Sequence, residues 1–437
     1  MTRLVGKLLP AWKTGRPLSA RYCTPTSPIT QSKPEMSLQN RREFLTSATG
    51  AVAALIPGWG NAMIRPPQYD LLIRGGKVID PSQQLHALRD VAISRGRIAR
   101  IAERIDPSEA VQVVDATGKI VTPGLIDSHV HVYDGVSVYA IAPDVVGVAR
   151  GVTTLIDSGS AGANTFNGFR RYVVQPSRTR IFCILNISSV GLAIRNELHD
   201  LSLINNDSTV RVVEANRDVI VGIKVRLTQD IPEGQDLEVM RLGREAGDRA
   251  GVPLMVHIGG QRSALPEILK YLRPGDVITH VFASRGGLLD DQGRVFPEVF
   301  EAVRNGIRLD VGHGSGHFNF AVAERLMGEG LLPTSISSDV HRRTSLGPVF
   351  DLPHILSKLI ATGMTLEQVI AAATAGPGLT YKFPEPLGTI REGAVADIAT
   401  FEVAEGEYDF ADNEDQHRLG RERLLPWVTL LGGIAYG

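Results

Sequence analysis

Between residues 121 and 377, apolar strand-like segments alternate with helical stretches, and this alternation restricts the fold more than any other feature of the chain. Repeated strand–helix order is typical of a parallel sheet covered by helices. Eight segments have the length and apolar character of buried strands: VTPGLIDSHVHV, VTTLIDSG, RIFCILNIS, VIVGIKVRL, PLMVHI, DVITHVF, IRLDVGH and TSISSDVH. The span is close to the roughly 250 residues of a (β/α)8 barrel. We therefore predict an α/β fold built on a (β/α)8 TIM barrel, in preference to an open, doubly wound sheet.

Shorter strands with glycine turns lie on both sides of this barrel. YDLLIRGGKVID and DVAISRGRIARIA precede it, and PLGTIREGAVADIATFEV follows it. Alternating apolar residues indicate strands with one buried face, so we predict that both ends join in one small β-sandwich. The predicted divisions are a leader at 1–62, the first part of the sandwich at 69–120, the barrel at 121–377, and the second part of the sandwich with a C-terminal tail at 378–437.

Composition and charge exclude several classes of function. The 437 residues carry a formal net charge of −1, which gives no electrostatic reason to expect a nucleic-acid partner. After the leader, no apolar run reaches the ~18 residues that span a bilayer, so we expect no membrane association once the leader is removed. The two cysteines, Cys23 and Cys183, form no disulfide framework, and we expect Cys183 to remain as a buried thiol.

The leader has the pattern of an export signal. NRREFLT at 40–46 is similar to a twin-arginine motif, and a mildly apolar stretch and the small residues Gly60-Asn61-Ala62 follow it. We predict export to the periplasm, with translation starting at Met1 or Met36. An organellar transit peptide is the alternative, because residues 1–34 include basic but no acidic side chains. Without a signal the protein would be cytoplasmic.

Potential metal ligands occur near the C-terminal ends of the predicted barrel strands, where such barrels place their active sites. They are His129, His131, Lys224, His257, His280 and Asp339. His129 and His131 end the first strand, and residues two apart on a strand share a face. Imidazole and carboxylate ligands without thiolates suit Zn²⁺, while Mn²⁺, Co²⁺ and Fe²⁺ also accept them.

Lys224 is unusual in this set, because an ammonium group buried beside metal ions is strongly disfavoured. It could pair with a carboxylate of the core. Alternatively, carbon dioxide could convert its amine into a carbamate, whose negative charge and two oxygens would bridge two cations. The complete set would then hold two divalent ions around one activated water.

From about Tyr69 to the C-terminus, the chain resembles the binuclear members of the amidohydrolase superfamily. The motifs that carry this resemblance are PGLIDSHVH, GIKVR, VHIGG, THVF, SSDVH and GTIREGAVADI. DVGHGSGHFNFAVAE and GPVFDLPHILSKLIATGMTLEQVIAAAT resemble the deacetylase-like group, which is often labelled dihydroorotase-like. The resemblance implies a more buried ion on His129, His131 and Asp339. It also implies a more exposed ion on His257 and His280, with carbamylated Lys224 between the two.

Such a centre implies hydrolysis by a hydroxide that bridges the metals. Two cations lower the pKa of the water that they share, and one of them polarises the substrate carbonyl. Asp339 is expected to take the proton from this hydroxide and to pass it to the leaving amine.

Three further residues are candidates for substrate contact. Arg226 shares the inward face of Lys224 and could pair bidentately with a substrate carboxylate, unless it forms an ion pair at the barrel rim. His313 lies in the glycine-rich loop after the seventh strand, where His317 is an alternative. Asn186 ends the third strand.

Tyr133 distinguishes this chain from dihydroorotases of the superfamily, which typically carry a carboxylate-binding arginine at that position. Tyr133 itself is a further candidate for substrate contact. We therefore expect deacetylation of an N-acyl amino acid or a similar small compound, with esterase activity by the same machinery. Hydrolysis of a cyclic amide, as in dihydropyrimidinases and hydantoinases, is the alternative, and a non-catalytic scaffold is a third reading that the complete ligand set disfavours. The partner is then a small-molecule substrate, and the sequence leaves monomer and homo-oligomer open.

Overall fold

The computed structural model describes residues 66–436, and within this range both ends of the chain contribute to one sheet. Its strands are β1 (Tyr69–Asp80), β2 (Leu85–Ser94), β3 (Arg97–Ala102), β4 (Ala110–Asp115), β5 (Ile120–Pro123), β13 (Ile398–Ala411), β14 (His417–Leu431) and β15 (Ile434–Tyr436). The order is β15-β14-β13-β5-β1-β2-β3, with β4 paired to β1. The prediction that the two ends form one β-structure is confirmed, and the junction is the antiparallel pair of β5 and β13.

The second sheet is the predicted parallel sheet of the barrel. Its strands are β6 (Leu125–Val130), β7 (Val152–Gly162), β8 (Arg180–Asn186), β9 (Ile220–Arg226), β10 (Leu254–His257), β11 (Val277–Thr279) and β12 (Arg308–Asp310). Strands that follow each other in sequence also pair in the sheet, and all six pairs are parallel. Their C-terminal ends therefore meet on one side of the curled sheet.

The eighth predicted strand, residues 334–341, connects the two edges of this sheet without forming a regular strand. Two parallel bridges attach it: Asp310–Ser335 and Val130–Val340. Asp339 has a φ of 47°, in the left-handed region, and this conformation interrupts an extended strand. Its N–H still donates to the carbonyl of His129 at 2.7 Å, which holds the segment against β6.

Helices between the strands cover the outside of the curled sheet. They are α1 (Pro143–Val146), α2 (Phe166–Phe169), α3 (Asn206–Ala215), α4 (Asp236–Ala250), α5 (Leu265–Leu269), α6 (Pro297–Arg304), α7 (Phe320–Gly328), α8 (Leu352–Ala361), α9 (Leu366–Ala372) and α10 (Ala375–Thr380). Buried residues of α4 recur three or four positions apart, the spacing of one helix face: Val239, Met240, Gly243, Ala246, Gly247 and Ala250. Ile223 and Val225 of β9 belong to the same apolar core. Lys224, between them, therefore points to the opposite face, into the barrel.

The predictions for the leader, residues 1–62, including the export signal and Cys23, fall outside the described residues. Cys183 is a buried free thiol, as expected. Between residues 66 and 436, no helix has both the length and the apolar character needed to cross a membrane.

Candidate metal centre and active site

The six predicted ligand positions converge at the C-terminal ends of the barrel strands. All of them are buried: His129, His131, Lys224, His257, His280 and Asp339. They come from four strands or the residues directly after them and from the bridging segment 334–341. Convergence follows from the parallel topology, because equivalent strand ends lie at one rim of such a sheet.

One cluster combines two imidazoles with a carboxylate. His129, His131 and Asp339 each offer a ligand atom, and these atoms lie within 4.8 Å of one another. His131 Nε2 is 3.1 Å from Oδ1 of Asp339, and His129 Nε2 is 3.7 Å from the same oxygen. A side chain at Gly314 would place its Cβ 2.3 Å from Oδ2 of Asp339, so only glycine allows the loop to pass so close to this carboxylate.

Burial and the neighbouring imidazoles shift the pKa of Asp339 in opposite directions. Burial by itself would raise the pKa of Asp339, but His129 and the hydrogen bond from His131 outweigh it and lower the pKa below its usual range. Burial, reinforced by Lys224, lowers the pKa of His129 to about 4. At neutral pH this cluster therefore contains an ionised carboxylate and a neutral His129.

A second cluster consists of imidazoles alone. His257, His280 and His317 also bring their ligand atoms within 4.8 Å of one another. His280 Nε2 lies 2.8 Å from His257 Nδ1, and the rings of His280 and His317 stack with centroids 4.0 Å apart. Among the described residues, the buried Nδ1 of His317 has no hydrogen-bond partner. Three buried imidazoles whose ring nitrogens approach this closely are a suitable set of cation ligands.

The two clusters adjoin, and Lys224 lies beside the first. The ring centroids of His129 and His280 are 5.0 Å apart. Lys224 Nζ is 3.1 Å from His129 Nε2 and 3.3 Å from the sulfur of Met255. Burial lowers the pKa of Lys224 to about 7, so a large share of its amine is uncharged near neutral pH. Gly159, with a φ of 97°, leaves room for the stem of this lysine.

Hydrogen bonds on the outer side of the imidazoles orient them. His129 Nδ1 lies 2.9 Å from the hydroxyl of Thr279, which in turn donates to Asp310 at 2.7 Å. His131 Nδ1 is 3.0 Å from the hydroxyl of Ser160, and His280 Nδ1 is 2.6 Å from the carbonyl of Gly312. In His129, His131 and His280, Nδ1 contacts a hydroxyl or carbonyl of the protein, and Nε2 faces the cluster. Metal-binding histidines typically have this arrangement.

Relatives of known name match the chain over most of its length. A protein from Brucella anthropi named deacetylase is 37% identical over 356 residues, which cover 80% of this chain and 88% of that protein. A protein from Enterococcus faecalis, also named deacetylase, is 32% identical over 84% of this chain and 99% of its own length. This chain belongs to the amidohydrolase superfamily. It is a metal-dependent amidohydrolase of the deacetylase-like group, a hydrolytic enzyme that acts on carbon–nitrogen bonds.

Solved structures support the same fold for this amidohydrolase but carry other names. The crystal structure of an adenine deaminase has a TM-score of 0.78 at 32% identity and covers 84% of this chain and 99% of that chain. A dihydroorotase has a TM-score of 0.77 at 33% identity and covers 84% and 97%. A scan against models of protein families found no match. Relatives of nearly equal similarity thus have different names, and the substrate has to be argued from the site.

The structure does not support the predicted role of Arg226 in this amidohydrolase. Its Nε donates to Oε1 of Glu197 at 2.7 Å, and its Nη2 donates to Oε2 at 2.6 Å. Glu197 is fully buried, so the bidentate face that we expected to hold a substrate carboxylate is occupied by the protein itself. Nη2 also donates to the carbonyl of Arg195 at 2.5 Å. Arg226 therefore forms the ion pair at the barrel rim that was the alternative reading.

Asn186 and His313 are likewise engaged within the protein, and both are completely buried. The amide nitrogen of Asn186 donates to the carbonyl of Gly159 at 3.0 Å, and its amide oxygen accepts from the N–H of Ser188 at 2.9 Å. His313 Nδ1 lies 3.0 Å from the carbonyl of Gly314, and its Nε2 lies 2.8 Å from Lys358 Nζ. Neither side chain has a polar atom left for a substrate. Tyr133, the further candidate, donates its hydroxyl to the carbonyl of Thr165 at 3.0 Å.

His317, the alternative to His313, is the loop histidine that reaches the clusters. The sequence offered no signal to choose between the two, because both follow a glycine in the same GHGSGHF loop. Contacts from a distant part of the chain hold His317 in place. The N–H groups of His317 and Phe318 donate to Oδ1 of Asn413 at 3.1 and 2.9 Å, and Asn413 Nδ2 donates to the carbonyl of Gly314 at 3.2 Å. The tip of the β13–β14 hairpin thus positions the loop that brings His317 to the second cluster.

Proposed function

We propose that this amidohydrolase removes an acetyl or similar acyl group from a small N-acylated amino acid or a similar compound. The observation that carries the proposal is the pair of adjoining clusters, in which the rings of His129 and His280 are 5.0 Å apart. Relatives named deacetylase match this chain over most of their own length and most of its length. Hydrolysis of an ester of the same acids would use the same groups.

The donors fit two divalent cations, and Zn²⁺ is the ion that we propose. Imidazoles and a carboxylate are available, while the thiol of Cys183 is not among the converging groups. His129, His131 and Asp339 would hold one ion. His257 and His280 would hold the other, and the unpartnered His317 Nδ1 supports this cluster.

We propose that Lys224 is carbamylated and joins the two ions. Its amine is buried, and burial lowers its pKa to about 7, so a substantial share is uncharged near neutral pH. Among residues 66–436, its neighbours within hydrogen-bonding distance are one nitrogen and one thioether. Addition of carbon dioxide forms a nitrogen–carbon bond and releases one proton to solvent, which leaves an anionic group with two oxygens. Enzyme loaded with zinc and ¹³C-labelled bicarbonate should show a carbamate carbon resonance that is absent from Lys224→Met. Equal spectra for the two proteins would refute the carbamate.

Asp339 is the residue that we propose to move the proton. When bound, the cations would acidify a water molecule and polarise the substrate carbonyl. Asp339 is ionised, and its Oδ1 is already directed at His131. It would accept the proton of the attacking water and then donate it to the leaving nitrogen.

Acetate release from a panel of N-acetyl-D- and N-acetyl-L-amino acids tests the reaction. We expect turnover of at least one member by zinc-loaded enzyme, with release of acetate and a free amino group. Asp339→Asn should keep most of its metal and lose roughly a thousandfold or more in kcat. Opening of cyclic amides without turnover anywhere in the panel would favour the cyclic-amide alternative, because ring opening releases no second product.

We also propose that the enzyme is exported by the twin-arginine route, and the support for this is the sequence at 40–62 alone. In a twin-arginine-competent bacterial host, the full chain should accumulate in the periplasmic fraction. The Arg41→Lys, Arg42→Lys double variant should remain in the cytoplasm at full length. Periplasmic accumulation of both proteins would contradict this route.

A further inference from the structure

A cationic chamber lies beside the candidate metal centre, and the proposed reaction does not yet explain it. This chamber is a cavity of about 390 Å³ between the loop after β6, the loop after β8 and the segment after Asp339. Its volume is within the range of small-molecule sites. The residues that matter to the argument are Tyr139, Arg195, His341, Arg342 and Arg343.

The chamber is directly connected to the predicted ligands. The ring of Tyr139 lies 6.2 Å from the ring of His131 and 5.4 Å from the ring of His341. His341 follows Asp339 by two residues, and its side chain is buried. A small molecule in the chamber would therefore be next to the cluster formed by His129, His131 and Asp339.

The charged side chains that line the chamber are all positive. Three arginines line it, and no carboxylate does. Arg342 is bound to Asp134 at 3.3 Å, and most of its side chain is exposed. Arg195 and Arg343 are also exposed, but neither has an acidic partner within 4 Å among residues 66–436. Two guanidinium groups without counter-ions that line one cavity are a suitable site for a small anion, and planar guanidinium matches a carboxylate particularly well.

Arg226 has a different part in this arrangement from the one that the sequence indicated. Its guanidinium is committed to Glu197, but its Nη2 donates to the backbone carbonyl of Arg195 at 2.5 Å. The buried ion pair therefore fixes the loop from which Arg195 reaches the chamber. Arg226 is therefore a positioning residue, and the groups available to contact an anion are on the loop that it holds, which carries Arg195.

We infer that Arg195 and Arg343 bind the carboxylate of the substrate, so that the enzyme selects acylated compounds with a free carboxylate near the scissile amide. This inference rests on the proposed function and specifies its substrate class. The carboxylate would be held in the chamber while the amide carbonyl reaches the neighbouring cluster. A neutral analogue would lose this contact and keep all others.

Binding can be measured separately from turnover. Zinc-loaded Asp339→Asn is titrated calorimetrically with N-acetylalanine, as both enantiomers, and with the primary amide of each. We expect the acid to bind at least tenfold more tightly than its amide. Adding Arg195→Gln or Arg343→Gln should reduce acid binding by roughly 10- to 100-fold, because a hydrogen bond to a charged group is lost. Amide binding should change no more than about twofold, the size of a residual charge effect in salt.

Arg342→Gln is the matched control. It removes the same charge from the same chamber, but its guanidinium is already bound to Asp134. We expect a change of no more than about twofold in either affinity. Equal binding of acid and amide, equal losses for both ligands, or a loss in Arg342→Gln as large as in Arg343→Gln would each overturn the inference.

The test also separates this inference from the proposed function. If no acetate is released from any substrate but cyclic amides are opened, deacylation is wrong, and dihydroorotate and dihydrouracil replace the linear pair because only the former has a carboxylate. A preference for dihydroorotate that disappears in Arg343→Gln would then support the chamber as a carboxylate site. No preference between the two would refute it.

Discussion

Two lysines are buried in the interior of this enzyme, and their surroundings differ. Lys224 lies in the barrel beside His129, and Lys358 lies in α8 beside His313. Both are almost without exposed surface, and burial lowers the pKa of each to about 7. Burial and pKa alone therefore do not distinguish them.

Their hydrogen-bond partners do. Lys358 Nζ has three acceptors, one for each hydrogen of an ammonium group: His313 Nε2 at 2.8 Å, the carbonyl of Pro348 at 3.0 Å and the carbonyl of Ala411 at 2.7 Å. Within the described part of the chain, Lys224 Nζ has one imidazole nitrogen and one thioether as partners, and no oxygen. The surroundings of Lys358 supply an acceptor for every hydrogen of an unmodified lysine, and these hydrogen bonds join three parts of the chain. The surroundings of Lys224 leave the amine incompletely satisfied beside a cluster of cation ligands, which is the situation in which chemical modification would stabilise the site.

The largest difference should appear when both lysines receive the same substitution. Lys224→Met keeps an unbranched side chain as long as the lysine stem and removes the amine, so we expect the fold to persist and the metal centre to fail. Metal content, measured by mass spectrometry of the folded protein, should fall below two ions per chain, and kcat/KM should drop by roughly a thousandfold or more, several kcal/mol of transition-state stabilisation. Full activity in Lys224→Met would show that the lysine is only a packing residue.

Lys358→Met should have the opposite profile. It leaves the acceptors on His313, Pro348 and Ala411 without a donor, and unsatisfied buried acceptors cost about 1–3 kcal/mol each, in part relieved by water. We expect the free energy of unfolding to fall by about 2–4 kcal/mol in chemical denaturation, with metal content unchanged. The comparison fails if Lys358→Met loses its metal or if Lys224→Met is the less stable of the two.

A smaller effect should follow from the hydroxyl that orients His129. Thr279→Val keeps the shape of the side chain but breaks the link from His129 Nδ1 to Asp310. Loss of such an outer contact typically costs 10- to 100-fold in metal affinity, which a competing chromophoric chelator would measure. Thr374→Val is a control, because Thr374 is also fully buried but donates within the helical segment, to the carbonyl of Ile370. Similar metal affinities for the two variants would contradict a role for the Thr279 hydroxyl in orienting His129 as a metal ligand.

The two regions also differ in how far the sequence anticipated them. Lys224 was predicted as part of the centre because an apolar strand alternates with period two and its end lies at the active-site rim of a barrel. Asp339 was predicted from the same order of strands, although its own segment is no regular strand. Lys358 could not be predicted, because its acceptors come from residues 10, 45 and 53 positions away in sequence.

The contacts of the predicted substrate-binding residues have a common origin. Arg226 was placed correctly on the inward face of β9, but its partner Glu197 comes from a loop 29 residues earlier. His313 and His317 have the same local sequence context, and only Asn413, at the tip of the β13–β14 hairpin, distinguishes them by holding the backbone of His317. In both cases the hydrogen-bond partner of a polar group is set by loops that pack against each other, and no local periodicity of the sequence indicates it.

The sequence by itself determined the parallel barrel, the joining of the two terminal segments in one sheet, and the six positions that converge at the strand ends. These follow from periodicity and order along the chain, since side chains alternate along strands and parallel strands share one rim. Only the tertiary structure decided that Arg226 is paired internally and that His317 rather than His313 reaches the clusters. It also decided that Arg195 and Arg343 line a chamber with no carboxylate partner of their own among residues 66–436. Those facts depend on contacts between distant loops, where buried polar groups pair with whatever partner the packing brings within hydrogen-bonding distance.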